Sequence, residues 1–219
     1  MSEKPKKYIL YGASFNPPHV GHLSAIAQML EEYDNVIVFP YPQKFAEGKI
    51  EALPPIKQRL KMLQIFAMDF FPQMPERLII INLAAEMGAR DGVLHTYDYL
   101  NFVKNRIEHN AELSACLGFE SKNINRKEDF FNEDKIKKEF PHFYLEEENT
   151  LKSEDLRKFF SNHNNIQSKK DEHYIRNAVG NALAEHIFTN NLYGVQKKSN
   201  IDKDTAEIEG KSKSKARMK

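Results

Sequence analysis

Apolar positions along the chain follow two periods in alternation. KYILY at residues 7–11 and VIVF at residues 36–39 are short apolar runs, and LIIINL at residues 78–83 is the most continuous one. Each predicts a strand, and the last reads as a central strand buried on both faces. Between these runs the spacing turns helical. Apolar residues recur at helical intervals from Val20 to Glu31, and IKQRLKMLQIFAMDFF sets Ile56, Leu60, Leu63 and Ala67 on one helical face. Further on, HTYDYLNFVKNRI predicts an amphipathic helix and ELSACLG a strand ending in glycine. KEDFFNEDKIKKEF predicts a short helix and HFYL a last strand. LKSEDLRKFF predicts a helix that starts through Ser153, and residues 174–188 predict a further helix or helix pair. Short strands separated by helices imply an α/β fold built on a parallel sheet. From about Lys197 the hydrophobic period vanishes, and the Lys-rich end KSKSKARMK predicts a solvated, disordered tail. The expected division is therefore a domain over residues 1–196 and a tail over residues 197–219.

Composition narrows this picture only modestly. A chain of 219 residues, 41% hydrophobic and 29% charged, suits one domain with a sizeable core. A formal charge of +1 carries no argument for a nucleic-acid or anionic-membrane partner. The single cysteine, Cys116, lies inside the apolar run LSACLG, which predicts a buried, inert thiol and no intramolecular disulfide. No run approaches about 20 apolar residues, and the stretch after MSEKPKK is too short for a signal peptide. A soluble, cytoplasmic protein with neither nucleic acid nor membrane as partner is expected.

Chemistry concentrates in YGASFNPPHVGH, residues 11–22. An apolar strand ends in Gly12, a polar loop carries two adjacent prolines, and His19 and His22 flank Gly21 where the helical spacing begins. A helix N-terminus presents unpaired N–H groups and the positive end of its dipole, so anions settle there. Gly12 lets the backbone approach an anion closely, and Gly21 leaves the helix start open to a ligand. Two histidines three apart also suit half of a zinc site, but zinc takes three or four protein ligands and nothing nearby completes the set. Rings satisfied in a polar surface are a second alternative, and phosphate chemistry is the third.

YGASFNPPHVGHL resembles the GGSFDPxHxGHL signature of the HxGH nucleotidylyltransferase superfamily, and within it the nicotinate mononucleotide adenylyltransferases. Gly12, Ser14, Phe15, Pro17, His19, Gly21 and His22 carry the match, while Tyr11, Ala13 and Asn16 depart from it. Later motifs follow in the same order. YPQKF resembles a PxHK loop, with Gln43 for histidine and Lys44 retained; IKQRLKML resembles RxxML through Arg59 and Met62, Arg59 being read as mainly structural. HTYDYL resembles YTxDTL through Thr96, Asp98 and Leu100, and LGFE resembles LGxD with Glu120 for aspartate. LKSEDLR resembles ISSTxIR through Ser153 and Arg157, and the stretch to Val195 resembles the closing VxxYIxxxxLY pattern through Ile187, Leu192 and Tyr193.

The resemblance implies a Rossmann-like parallel sheet with helices on both faces and C-terminal helices. It implies an enzyme that moves AMP from MgATP to nicotinate or nicotinamide mononucleotide, forming the dinucleotide and pyrophosphate in NAD biosynthesis. His19, His22 and Lys44 would be catalytic. ATP would meet Gly12, Ser14, Phe15, His19, Gly21 and His22 of the loop, Gly118 and Glu120 after a strand, and Ser153 and Arg157 on a helix. The acceptor would meet Ser14, Phe15, Lys44 and Thr96. Mg²⁺ would come with ATP, and no protein metal site is implied. Bland alternatives stand beside several of these residues. Lys44 also reads as an exposed loop lysine, Thr96 as a helix cap, and Ser153 with Arg157 as a capped surface helix. Between LGFE and LKSEDLR the chain is shorter than the family pattern and holds no tryptophan, so Phe130 or Phe131 would have to supply a stacking face or else belong to core. A different phosphate acceptor, or a catalytically weak nucleotide-binding homologue, are the alternatives this region leaves.

Overall fold

The computed structural model describes residues 4–41, 54–88, 95–119, 133–146, 151–163, 165–166 and 168–197. Five parallel strands form its principal sheet: β1 (Lys7–Ala13), β2 (Asn35–Pro40), β3 (Leu78–Ile80), β4 (Glu112–Phe119) and β5 (His142–Leu145). Their spatial order is β3-β2-β1-β4-β5, with Leu10 opposite Ile37 on one side and Ala115 on the other. The order reverses between β1 and β4, and in open α/β sheets that reversal opens a crevice at the carboxyl ends of the strands. The Rossmann-like α/β class expected from sequence is the fold found.

Period-two alternation in the strands divides the core in two. Ile9 and Tyr11 of β1 face a cluster built with α1 (Val20–Glu32), α2 (Ile56–Phe70), α6 (Ser153–Asn162), α7 (Lys169–Val179) and α8 (Asn181–Thr189). Tyr8 and Leu10 face the opposite layer, made by α3 (Leu83–Glu86), α4 (Thr96–Lys104) and α5 (Glu133–Glu139). The two-residue strands β6 (Asn165–Ile166) and β7 (Gln196–Lys197) pair separately. Cys116 is buried, as its apolar surroundings predict.

Helix α1 explains its own placement. His22, Ala25, Ile26, Met29 and Leu30 form its buried stripe at the spacing of one helical face. At its far end the Arg77 guanidinium donates to the carbonyls of Leu30 and Tyr33, satisfying acceptors that a helix terminus leaves open.

Three expectations change. LIIINL is not central: β3 keeps only three residues and sits at the sheet edge, because Asn82 accepts the N–H of Ala85 and starts α3. In α2 the buried residues are Arg59, Met62, Leu63 and Phe66, rotated from the face expected. Arg59 sits inside because its guanidinium finds carbonyl partners there. Finally, neither Ser153 nor Thr96 is a helix cap. Lys152 and His95 hold those positions, with their backbone N–H groups bonded to Asp155 and Asp98 at 3.1 and 2.9 Å.

Candidate active site

Strand β1 leaves the sheet at Ala13 and reaches α1 through Ser14–His19, beside the β1/β4 crevice. Phe15 takes a left-handed φ of 46° with its ring fully buried, 5.8 Å from Tyr11 and 4.7 Å from His22 between centroids. Phe15 is buried as a whole residue, and its ring packs against that of His22.

His19 is the N-cap of α1 and His22 lies in its first turn. The N–H of Gly21 donates to His19 Nδ1 at 3.0 Å, and the N–H of His19 donates to His22 Nδ1 at 3.2 Å. A backbone N–H can only donate, so both Nδ1 atoms accept and both rings carry their proton on Nε2. Burial lowers the His19 pKa to about 4, with Arg157 lowering it and Asp155 opposing. His22 is also held well below the ordinary value, by burial first and His19 second. The result is two neutral Nε2–H donors, ring centroids 4.0 Å apart, at a helix N-terminus.

Three carbonyls of the loop are held by side-chain donors. Arg59 Nη1 donates to Ser14 O at 2.9 Å, Arg157 Nη1 to Asn16 O at 2.8 Å, and Ser153 Oγ to Pro17 O at 3.1 Å. Arg59 also donates to Tyr41 O and Pro54 O, tying the loop to the end of β2 and the start of α2. With these three acceptors occupied, fewer loop carbonyls remain to repel an anion.

Glycines supply the close approaches. A Cβ on Gly21 would sit 2.8 Å from His19 Cε1 and 3.0 Å from Leu151 O, so the chain entering α6 rests directly on the start of α1. Over Gly12 a Cβ would meet the rings of Tyr41 and Phe39 at 2.5 and 2.6 Å. The room Gly12 makes on that face thus holds protein rings. Thr96 opens α4, which packs on the same layer of the sheet as Tyr41.

The structure thus brings Ser14, Phe15, His19, Gly21, His22, Ser153 and Arg157 together around one loop. Gly118 lies near the carboxyl end of β4, where the pairing with β5 shifts register. Gln43, Lys44, Glu120, Phe130, Phe131 and nearly all of the tail lie outside the described residues. Two roles escaped the sequence: that of Tyr41, an aromatic after an apolar strand, and the reach of Tyr193, named there only for the closing pattern, whose hydroxyl bonds Asn16 Oδ1 at 2.7 Å. Among the described residues, no group of three or more His, Cys, Asp or Glu could hold a metal ion, and no helix is long and apolar enough to cross a membrane. A surface depression lined by Lys6, Tyr8, Asp34 and Arg77 lies at the opposite, amino-terminal end of the strands.

The sequence matches the cytidylyltransferase-like family over residues 10–159, from β1 into α6. The chain belongs to that family, and it is a nucleotidyltransferase. A cytidylyltransferase-like chain of this architecture is similar to solved structures at low identity. A Vibrio parahaemolyticus protein assigned as a nicotinate-nucleotide adenylyltransferase is 19% identical with a TM-score of 0.62, covering 83% of this chain and 98% of that one. Plasmodium falciparum nicotinic acid mononucleotide adenylyltransferase complexed with NaAD is 17% identical with a TM-score of 0.59, covering 86% and 97%. The same Plasmodium enzyme complexed with APC is 18% identical with a TM-score of 0.57, covering 86% and 97%. A search of curated proteins finds no match.

Proposed function

We propose that this nucleotidyltransferase moves AMP from MgATP to the phosphate of nicotinate or nicotinamide mononucleotide, releasing pyrophosphate. The observation that carries the reading is the pair of neutral Nε2–H donors at the start of α1. An acceptor phosphate oxygen attacks the α-phosphorus in line; the new P–O bond forms as the bond to the β-phosphate oxygen breaks. Negative charge grows on the α-phosphate oxygens, where His19 and His22 donate hydrogen bonds that strengthen in the transition state. Neutral donors suit this task because no proton is transferred to a leaving pyrophosphate. Arg157 spends one N–H on Asn16 O, and its remaining donors, with the first turn of α6, serve the outer phosphates. Mg²⁺ would enter with ATP as part of the substrate and would offset negative charge on its phosphates.

Gly118, Glu120 and Gly12 belong to the ATP side in this proposal, and Ser14, Phe15, Lys44 and Thr96 to the acceptor side. Residues 1–196 form the catalytic domain. The solved relatives named for nicotinate mononucleotide adenylyl transfer, one complexed with NaAD, support the choice of acceptor. The test is pyrophosphate release from MgATP with nicotinate mononucleotide, nicotinamide mononucleotide and other phosphate esters. Acceptor-dependent release with a pyridine mononucleotide is expected. Release with only another phosphate ester overturns the acceptor, and release with none overturns the reaction.

A further inference from the structure

We infer that Tyr193 is a positioning residue: through Asn16 it holds the Ser14–His19 loop, and with it His19, in the geometry that adenylyl transfer needs. The inference rests on the reaction proposed above and adds a residue 177 positions from its partner. Asn16 is buried to 1% exposure and is gripped at both ends: its Oδ1 accepts from the Tyr193 hydroxyl at 2.7 Å, and its carbonyl accepts from Arg157 at 2.8 Å. Without the phenol, a buried amide oxygen would lose the partner that fixes it.

The chain goes to some length to deliver that hydroxyl. Asp69 of α2 accepts the N–H of Ala182 at 2.8 Å, anchoring the start of α8. Beyond α8, Asn191, Tyr193 and Gly194 take left-handed φ values of 49°, 59° and 71°, which non-glycine residues adopt only where the surroundings over-determine them. Leu192 and Val195 are buried on either side, and the Tyr193 ring stacks on Phe160 with centroids 5.1 Å apart and planes 20° apart. Phenylalanine would serve that stack equally well. Among the described residues, the hydroxyl adds the bond to Asn16 and a weak 3.7 Å contact with Met62 sulfur. Its information therefore goes to the loop, where a misplacement of about 1 Å is enough to slow a near-attack geometry severely.

Tyr193→Phe keeps the ring and removes the hydroxyl. In the pyrophosphate-release assay it should lower kcat about tenfold while the KM for MgATP stays within about twofold. Asn16→Ala should lower kcat similarly, and the double variant should be no slower than Asn16→Ala alone, because both break one link. An unchanged kcat in Tyr193→Phe, a change confined to KM, or losses that multiply would each overturn the inference. Amide hydrogen exchange in the ligand-free protein decides the point without turnover. Tyr193→Phe should speed exchange at residues 14–22 by about tenfold, with β1 and β2 unaffected; unchanged exchange overturns the positioning role. Wild-type protein inert toward every acceptor would sink the reaction and leave that exchange result to judge Tyr193.

Discussion

The backbone N–H of His19 donates to Nδ1 of His22 at 3.2 Å, while the His19 ring accepts the N–H of Gly21. Helix capping and tautomer selection are thus one device. The two roles come apart in variants. His19→Asn keeps a good N-cap acceptor and should melt within about 0.5 kcal/mol of wild type, whereas His19→Ala should lose about 1 kcal/mol. Both should lower kcat by roughly 10²–10³, as should His22→Ala, since each removes one transition-state donor. Urea unfolding and steady-state rates together check this; full activity in His19→Asn would reduce His19 to a cap.

Low histidine pKa values set the pH dependence of stability. The unfolded chain takes up these protons near pH 6.5, while the folded chain resists them, down to about 4 for His19. Below pH 6.5 the unfolded state binds more protons, so stability should fall with pH by about 1.4 kcal/mol per unit for each histidine. It should be fully present above that value. Urea midpoints at pH 7, 6 and 5 measure the slope. Long-range ¹⁵N spectra should show Nδ1 unprotonated and Nε2 protonated in both rings at pH 7.

Gly21→Ala tests the contact between α1 and the start of α6. Alanine is worth up to about 1 kcal/mol more than glycine inside a helix. Here its Cβ would press on Leu151 O, a backbone atom that cannot swing away, and on the His19 ring. An overpacking cost of about 1–3 kcal/mol outweighs the helical gain. The variant should be less stable than wild type and at least about tenfold slower, and a stabilised, fully active variant would contradict the packing described.

Arg59 is fully buried, and its hydrogen bonds among the described residues go to three carbonyls. Burial lowers its pKa, the direction expected for a cation taken out of water. Arg59→Met fills similar volume but leaves those acceptors unpaired, at about 1–3 kcal/mol each before the loops relax. A loss of roughly 3 kcal/mol is expected by the same reasoning. Arg59→Lys, with one ammonium for three separated carbonyls, should restore only part of it. Denaturant unfolding measures both.

Periodicity in the sequence was enough to place β1, α1, β2 and α4, because each carries its core face in its own residues, whereas α2 was found as a helix but with its buried face rotated by the inward-facing Arg59. The histidine pair was legible for the same local reason: a strand, a loop and a helix start are consecutive. What escaped depends on partners far along the chain. Arg59 reads as mainly structural in the sequence, but the groups it ties together, the carbonyls of Ser14 and Tyr41, are brought to it only by the fold. Tyr193 reads as a closing aromatic, and nothing near it in sequence announces Asn16. LIIINL misled because apolar content alone does not say whether a strand is central or at an edge, nor that Asn82 ends it.

The fate of isotope from ATP tests the central claim most directly. With MgATP labelled at the α-phosphate and nicotinate mononucleotide as acceptor, the label should move into the dinucleotide, while γ-label leaves as pyrophosphate. Label remaining in ATP, or α-label released as free AMP without dinucleotide, would contradict adenylyl transfer to a mononucleotide phosphate.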